Sequence, residues 1–174
     1  MALSPDDPQT RPPPFRTGSG WDLHRLEPGL PLVLAGVEVP SDRGCVAHSD
    51  GDAVFHAVTD ALLGSLALGD IGRLFPDDDP ANAGRDSGDF LDEAVRRVQA
   101  AGYAVVNLDV TVVLQKPRLG PHAGAMRAQL AARLLVGLDR VSLKAKTHEG
   151  VDAVGEGRAV SCQAAVLVTR AAPA

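Results

Sequence analysis

The sequence predicts a single α+β domain in which helices pack on one face of a small mixed sheet. Three observations point there. Segments with strand alternation and segments with helical spacing follow one another as ββααβαββ, the order of an α+β fold with helices on one face of a small sheet. The length, 174 residues, suits one core, since a chain of this size buries roughly 68–70% of its unfolded surface. Aromatic residues make up only 3%, so that core must be built from Val, Leu and Ala.

Residues 1–14 include three consecutive prolines and almost no apolar side chains. They read as a disordered or loosely held tail ahead of a domain spanning 15–174. FRTGSGWDLH reads as the first strand, and its period of two sets Asp22 and His24 side by side on one face. PLVLAGVEVP alternates between two prolines and reads as a second strand or a hairpin. Ser49 or Asp50 then caps a helix through DAVFHAVTDALLGSLAL, on which Asp52, His56 and Asp60 recur every fourth residue along one face. Leu68 to Ser87 turns to Gly, Asp and Pro and reads as a loop long enough to suspect function. SGDFLDEAVRRVQAAG carries Phe90, Leu91, Ala94, Val95 and Val98 at helical spacing and stops at Gly102. YAVVNLDVTVVLQ is a strand with Val106, Leu108, Val110, Val112 and Leu114 on one face and Asn107, Asp109 and Thr111 on the other. PRLGPH breaks it, a third helix runs through AGAMRAQLAARLL, and RVSLKAKT and AVSCQAAVLV supply the last two strands.

Lys and Arg number 17 against 22 Asp and Glu, a net charge of −5. A nucleic-acid surface usually carries a basic excess, so that class of partner is not expected. No apolar run approaches the ~18 residues of a membrane span, and the N-terminal stretch lacks the apolar centre of a secretory signal. Cys45 and Cys162 have no CxxC spacing and read as reduced, buried thiols, which fits the cytoplasm.

The chemistry concentrates in two places. Asp22, His24 and, from the helix, His56 make a three-ligand nitrogen and oxygen set, and zinc held by three protein groups keeps a fourth position open for catalysis. The plainer alternative for His56 alone is a packed or solvated helix residue. Around this set the polar residues are mostly acidic, from Asp70 through Asp77, Asp78 and Asp79, so an anionic substrate would have to arrive with divalent ions. FPDDD is equally a solvated turn with an Asx cap, and the glycines of GDIG are weak indicators alone. The second place is KAKTHEG, where strand alternation puts Lys146 and His148 on one face and Thr147 and Glu149 on the other. A threonine hydroxyl beside a carboxylate can hold a phosphate oxygen and a hard cation; a strand exit with surface charges is the alternative. His122 offers no arguable role.

GSGWDLHRL, AHSDGDAVFHAVTDALLGSLALGDIGRLFPDDDP and KPRLGPH, in this order, closely resemble the 2-C-methyl-D-erythritol 2,4-cyclodiphosphate synthase family of the non-mevalonate isoprenoid pathway. The likeness runs from about Arg16 to Arg170. It implies a homotrimer around a central cavity, with active sites at subunit interfaces. It implies Zn²⁺ on Asp22, His24 and His56, and a second cation, Mg²⁺ or Mn²⁺, on Glu149. His48 and Thr147 would stabilise the transition state. Ser49 would join His48 on the phosphates, and Asp70, Ile71, Gly72, Phe75, Pro76, Asp77, Asp78 and Asp79 would line the sugar and erythritol part. Leu114, Gln115, Lys116, Pro117, Arg118, Leu119 and Gly120 would form a cytosine pocket, and Lys146 and His148 would flank Thr147 at the substrate.

The implied reaction converts the cytidine diphosphate substrate, 4-diphosphocytidyl-2-C-methyl-D-erythritol 2-phosphate, to a cyclic diphosphate and CMP by intramolecular phosphoryl transfer. The nucleophile is already an ionised phosphate, so no strong base is needed and none is apparent. Three stretches depart from the family's usual pattern: Asp78 replaces a threonine, Lys146 and His148 stand where threonines are common, and Glu156 and Arg158 exchange an arginine and a glutamate near the trimer cavity. A zinc-dependent phosphoester hydrolase would instead yield an open-chain product, and a non-catalytic metal or nucleotide-binding module would yield none.

Overall fold

The computed structural model describes residues 13–76 and 79–171. The first strand, β1 (Phe15–Pro28), is followed by a two-residue hairpin, β2 (Val33–Leu34) and β3 (Val37–Glu38), and by a short β4 (Arg43–Cys45). Helix α1 (Ala53–Ser65), the one-turn α2 (Ile71–Leu74) and α3 (Ser87–Ala100) come next. Strand β5 (Tyr103–Val113), α4 (Ala123–Leu134), β6 (Val141–Lys146), the one-turn α5 (Asp152–Gly155) and β7 (Ala159–Arg170) complete the chain. Five strands form one sheet in the order β4-β1-β7-β5-β6, antiparallel except for the parallel β5–β6 pair. This is the mixed sheet and single α+β domain that the patterning predicts.

Alternation explains which face is covered. Along β7, Val160, Cys162, Ala164, Val166 and Val168 are all buried, while Gln163 and Ala165 between them are exposed. The helices lie against the buried face, and α1 approaches β1 and β7 most closely. Two glycines make that approach possible. A Cβ on Gly18 would stand 1.9 Å from the Ala61 carbonyl oxygen, and one on Gly20 would stand 2.0 Å from that of Ala57. The α1 backbone therefore rests directly on the β1 backbone, with Ala57 and Ala61 one turn apart against glycines two residues apart. Asp22 and His24 continue the same inward row.

Several elements differ from the sequence reading. The α1 cap is Asp52, not Ser49 or Asp50: its carboxylate accepts the Val54 and Phe55 amides at 3.0 and 3.1 Å. The same buried carboxylate also accepts the Ala35 and Gly36 amides of the β2–β3 turn, at 2.8 and 2.6 Å. Burial pushes this carboxyl up to about 6, against the pull of those amides. In β5 a register shift between Val105 and Asn107 turns Val105 into the core and leaves Val106 half-buried, so the inward row runs from Tyr103 to Val105 and resumes at Leu108. Bulges of this kind are invisible to strict alternation. The 68–87 segment, read as loop, contains α2 and a 3-10 turn at Pro80–Asn82. Cys45 and Cys162 are buried and unpaired, and burial, with Asp52, Asp22 and Asp50 nearby, pushes the Cys45 thiol up to about 12. Of the proposed tail, residues 1–12 lie outside the described residues, while the Pro13 and Pro14 carbonyls accept bonds from the Tyr103 hydroxyl and the Arg170 amide.

Candidate active site

Asp22 Oδ2 sits 2.8 Å from His24 Nδ1 and 3.3 Å from His56 Nδ1. Strand period brings the first two together, and the close seating of α1 on Gly18 and Gly20 delivers the third. All three ligand atoms lie within 4.8 Å of one another, and no other His, Cys, Asp or Glu trio converges this way among the described residues. Of the column Asp52, His56 and Asp60, only His56 joins the set. Asp52 serves the cap and hairpin, and Asp60 turns to the Ile71 amide at 2.7 Å.

The donor set fits a divalent ion. Asp22 Oδ2 and His24 Nδ1 are close enough for an ion pair, yet both are buried without a properly directed hydrogen bond. Buried polar atoms left this close without a directed partner are suited to sharing a cation. Zinc bonds of about 2.0–2.1 Å place tetrahedral ligands roughly 3.3 Å apart, close to what is seen here. Burial pushes the Asp22 carboxyl up, but the His24 and His56 rings beside it outweigh burial and hold it well below the usual carboxylate range. It is therefore an anion at any physiological pH, as a ligand must be.

These residues line a cleft of about 380 Å³ together with His48, Ser49, Ile71, Gly72 and Phe75. His48 is exposed and its Nε2 lies 3.3 Å from the Asp79 carbonyl. Asp70 is exposed; its carboxylate accepts the Arg73 amide at 2.9 Å and caps α2. Pro76 and Asp79 are exposed next to the cleft wall, and Asp77 and Asp78 lie outside the described residues. Asn82 and Phe90 also line the cleft and were not singled out in the sequence. Asn82 is buried and donates to the Pro76 carbonyl at 3.0 Å, which fixes the exit from α2. Phe90 stacks on Phe75 with centroids 4.4 Å apart, and the Arg85 guanidinium lies over both rings. Phe90 falls within the helical apolar period, so its spacing signals core, not site.

The second group is elsewhere in the chain. Gln115, Lys116, Pro117, Arg118 and Thr147 border a cleft of about 590 Å³. Leu114, Leu119, Gly120 and Lys146 border an adjoining one of about 360 Å³ that shares Gln115, Pro117, Arg118 and Thr147. Neither shares a lining residue with the cleft at Asp22. Strand β6 ends at Lys146, so strict alternation does not extend through KAKTHEG. Thr147 Oγ1 nevertheless donates to Glu149 Oε1 at 2.8 Å. His148 turns the other way: its Nδ1 lies 3.0 Å from Asp152 Oδ1, and its amide donates to Gln115 Oε1 at 3.2 Å. Glu149 holds a φ of +51°, in the left-handed region that few side chains adopt.

Among the described residues no helix is long and apolar enough to cross a membrane.

Comparison with known proteins gives one consistent answer. The YgbB family model matches residues 15–169. The chain is 52% identical over 170 residues to the chloroplastic 2-C-methyl-D-erythritol 2,4-cyclodiphosphate synthase of Oryza sativa, covering 98% of this chain and 75% of that protein. It is 51% identical over 162 residues to the synthase of the same name from Rhodopirellula baltica, covering 93% and 98%. A solved structure of a 2C-methyl-D-erythritol-2,4-cyclodiphosphate synthase in a CDP-bound form superposes with a TM-score of 0.82 at 46% identity, covering 88% of this chain and 99% of that one. The trio able to hold a metal ion, the fold and the sequence likeness thus agree, and the chain belongs to the YgbB family of 2-C-methyl-D-erythritol 2,4-cyclodiphosphate synthases.

Proposed function

We propose that this protein converts 4-diphosphocytidyl-2-C-methyl-D-erythritol 2-phosphate to 2-C-methyl-D-erythritol 2,4-cyclodiphosphate and CMP, a phosphorus–oxygen lyase step in isoprenoid precursor biosynthesis. The observation that carries the reading is the convergence of Asp22, His24 and His56 at the wall of a cleft that also holds His48 and Ser49, in a chain of this family. An oxygen of the 2-phosphate attacks the β-phosphorus, a new P–O–P link forms, and the bond to the cytidine monophosphate breaks with its electron pair leaving on CMP. Asp22, His24 and His56 would hold Zn²⁺, and Glu149 would hold Mg²⁺ or Mn²⁺; the two cations would supply positive charge to the diphosphate.

The chain's own groups do the rest. His48 and Ser49 face the cleft and offer hydrogen bonds to phosphate oxygens. Thr147 offers another from the second group, and donors fixed in advance at developing negative charge lower the barrier most. Ile71, Gly72 and Phe75 wall the erythritol end, with the segment through Asp79 beside them. Leu114 to Gly120 would hold the cytosine, in keeping with the CDP-bound relative. Lys146 and His148, next to Thr147, add contacts at the substrate's edge. No side chain is needed as a strong base, because the attacking phosphate is already ionised.

The two halves lie in separate clefts of one chain, which supports a homotrimer whose sites form where one subunit's zinc half meets another's Thr147 half. The exposed sheet face offers the surface for it: Phe15, Trp21 and Leu23 are 59%, 60% and 46% exposed there. The reduced, buried cysteines fit a cytoplasmic enzyme. The test is release of CMP, followed by chromatography, from protein stripped with a chelator. Turnover that disappears on stripping, returns with zinc and is lost in His24→Ala supports the reading; full turnover after stripping contradicts it.

A further inference from the structure

The His56 ring has a second nitrogen, and its surroundings are as defined as those of the first. Nε2 points away from Asp22 and lies 2.8 Å from Ser87 Oγ and 3.2 Å from Ser49 Oγ. Ser87 is the first residue of α3 and is fully buried. Its hydroxyl makes a short hydrogen bond to Asp50 Oδ1, and its amide donates to Asp50 Oδ2 at 3.2 Å. Asp50 Oδ1 also accepts the Asp52 amide at 3.1 Å, which ties it to the start of α1. Neither Asp50 nor Ser87 lines the cleft.

The direction of these bonds follows from what each group can do. A carboxylate only accepts, so the Ser87 hydroxyl proton points at Asp50. The Ser87 oxygen then has only lone pairs left for His56, and the partner it requires is an N–H. Asp22 Oδ2 competes for the ring proton from 3.3 Å at Nδ1 but receives no properly directed hydrogen bond, whereas Ser87 Oγ is closer to Nε2 at 2.8 Å. The proton of a neutral His56 ring is therefore on Nε2, and the free lone pair is on Nδ1. Ser49 is a weaker alternative at longer range, and its hydroxyl is also shared with Ser87 Oγ at 3.3 Å.

We propose that Asp50 and Ser87 are positioning residues for the metal site, the chain Asp50–Ser87–His56 fixing both the tautomer and the ring orientation that present Nδ1 to a divalent cation. The inference rests on the metal-site reading above. It gives Asp50 of the HSDGD run and the serine that opens α3 a single purpose: the first supplies the anchor, the second relays it across to α1. Partners of this kind behind a histidine ligand commonly set metal affinity by about 10–100-fold.

The test uses ¹⁵N-histidine-labelled full-length protein. Long-range ¹H–¹⁵N spectra, recorded without zinc at alkaline pH where the ring is neutral, report which nitrogen carries the proton. Zinc Kd values come from competition with a chelator. The expected spectrum places the His56 proton on Nε2 in the unsubstituted protein and a tautomer mixture in Ser87→Ala. Zinc binding should weaken about 10–100-fold in Ser87→Ala and also, by less, in Asp50→Asn. A proton on Nδ1 in the unsubstituted protein overturns the proposal, as do unchanged zinc affinities in both folded variants. Should Ser87→Ala fail to fold, Asp50→Asn and the spectrum of the unsubstituted protein still decide. Absence of zinc uptake by the unsubstituted protein would overturn the metal-site reading itself, and the zinc-free spectrum keeps the two failures apart.

Discussion

The Asp60 carboxylate accepts the Ile71 amide at 2.7 Å, one helical turn beyond His56 on α1. A single helix thus carries one member of the proposed metal trio and, four residues on, the acceptor that holds the start of the Ile71 and Gly72 wall. Burial raises the Asp60 carboxyl above its usual range, although the Ile71 amide pulls the other way.

Asp60→Ala removes that acceptor but none of the metal ligands. Loss of a partner for a part-buried amide costs about 1–3 kcal/mol of stability. The expected kinetic outcome is a KM raised about tenfold with zinc content unchanged, equivalent to about 1.4 kcal/mol of binding. Steady-state kinetics beside metal analysis checks it; zinc lost in parallel with KM would mean that Asp60 supports the metal site instead.

The seating of α1 on β1 makes an equally specific demand. Gly20→Ala places a methyl group 2.0 Å from the Ala57 carbonyl oxygen, and backbone on both sides must shift. The variant should lose about 1–3 kcal/mol or more and bind zinc less tightly, because His56 moves with α1. Gly124→Ala on α4 is the control: a Cβ there meets nothing within 4 Å, and the helix should gain about 0.5–1 kcal/mol. Chemical denaturation of the two variants should move the midpoint in opposite directions.

Metal uptake should depend on pH with a predictable sign. Burial pulls the His56 imidazole down, but Asp22 beside it raises it further, and the net position is above the ordinary 6.5. In the metal-free fold this contributes stability that is fully present below the unfolded value and is lost as pH rises through the higher folded one. Zinc needs the neutral ring, so its binding displaces the proton and strengthens over the same window. The gain in Tm on adding zinc should therefore widen from about pH 6 to about pH 8. A zinc-induced gain that stays level or shrinks over that range would contradict the coupling.

If each active site joins the zinc half of one subunit to the Thr147 half of another, inactive variants should rescue each other. Mixing His24→Ala and Thr147→Ala subunits in equal amounts, after dissociation and reassembly, should restore about a quarter of the unsubstituted activity by random pairing. Two halves completed within one chain would give no recovery.

The strand period made Asp22 and His24 legible as neighbours, and the capped amphipathic run made His56 a candidate, because these depend on local geometry alone. Their meeting depends on helix-to-sheet contact at Gly18 and Gly20, which the sequence shows only as glycines flanking a motif. The link from Asp50 through Ser87 to His56 is not legible in the sequence for a related reason. An aspartate or serine near a helix start reads as a cap, and only the packing of α3 against α1 brings Ser87, 31 residues away, to His56. Strict alternation puts Val106 on the inward row because the four consecutive apolar residues from Tyr103 to Val106 conceal the bulge between Val105 and Asn107. For Thr147 and Glu149 the residue types suggest a phosphate and cation site, but strand alternation cannot place them, because β6 ends before them.

The most direct measurement is ³¹P NMR of the protein with the diphosphocytidyl substrate and Mg²⁺, before and after zinc removal. Zinc-dependent appearance of CMP together with a cyclic diphosphate is the predicted result. CMP with an open-chain phosphate, or binding with no turnover, would contradict the assignment of a cyclising enzyme.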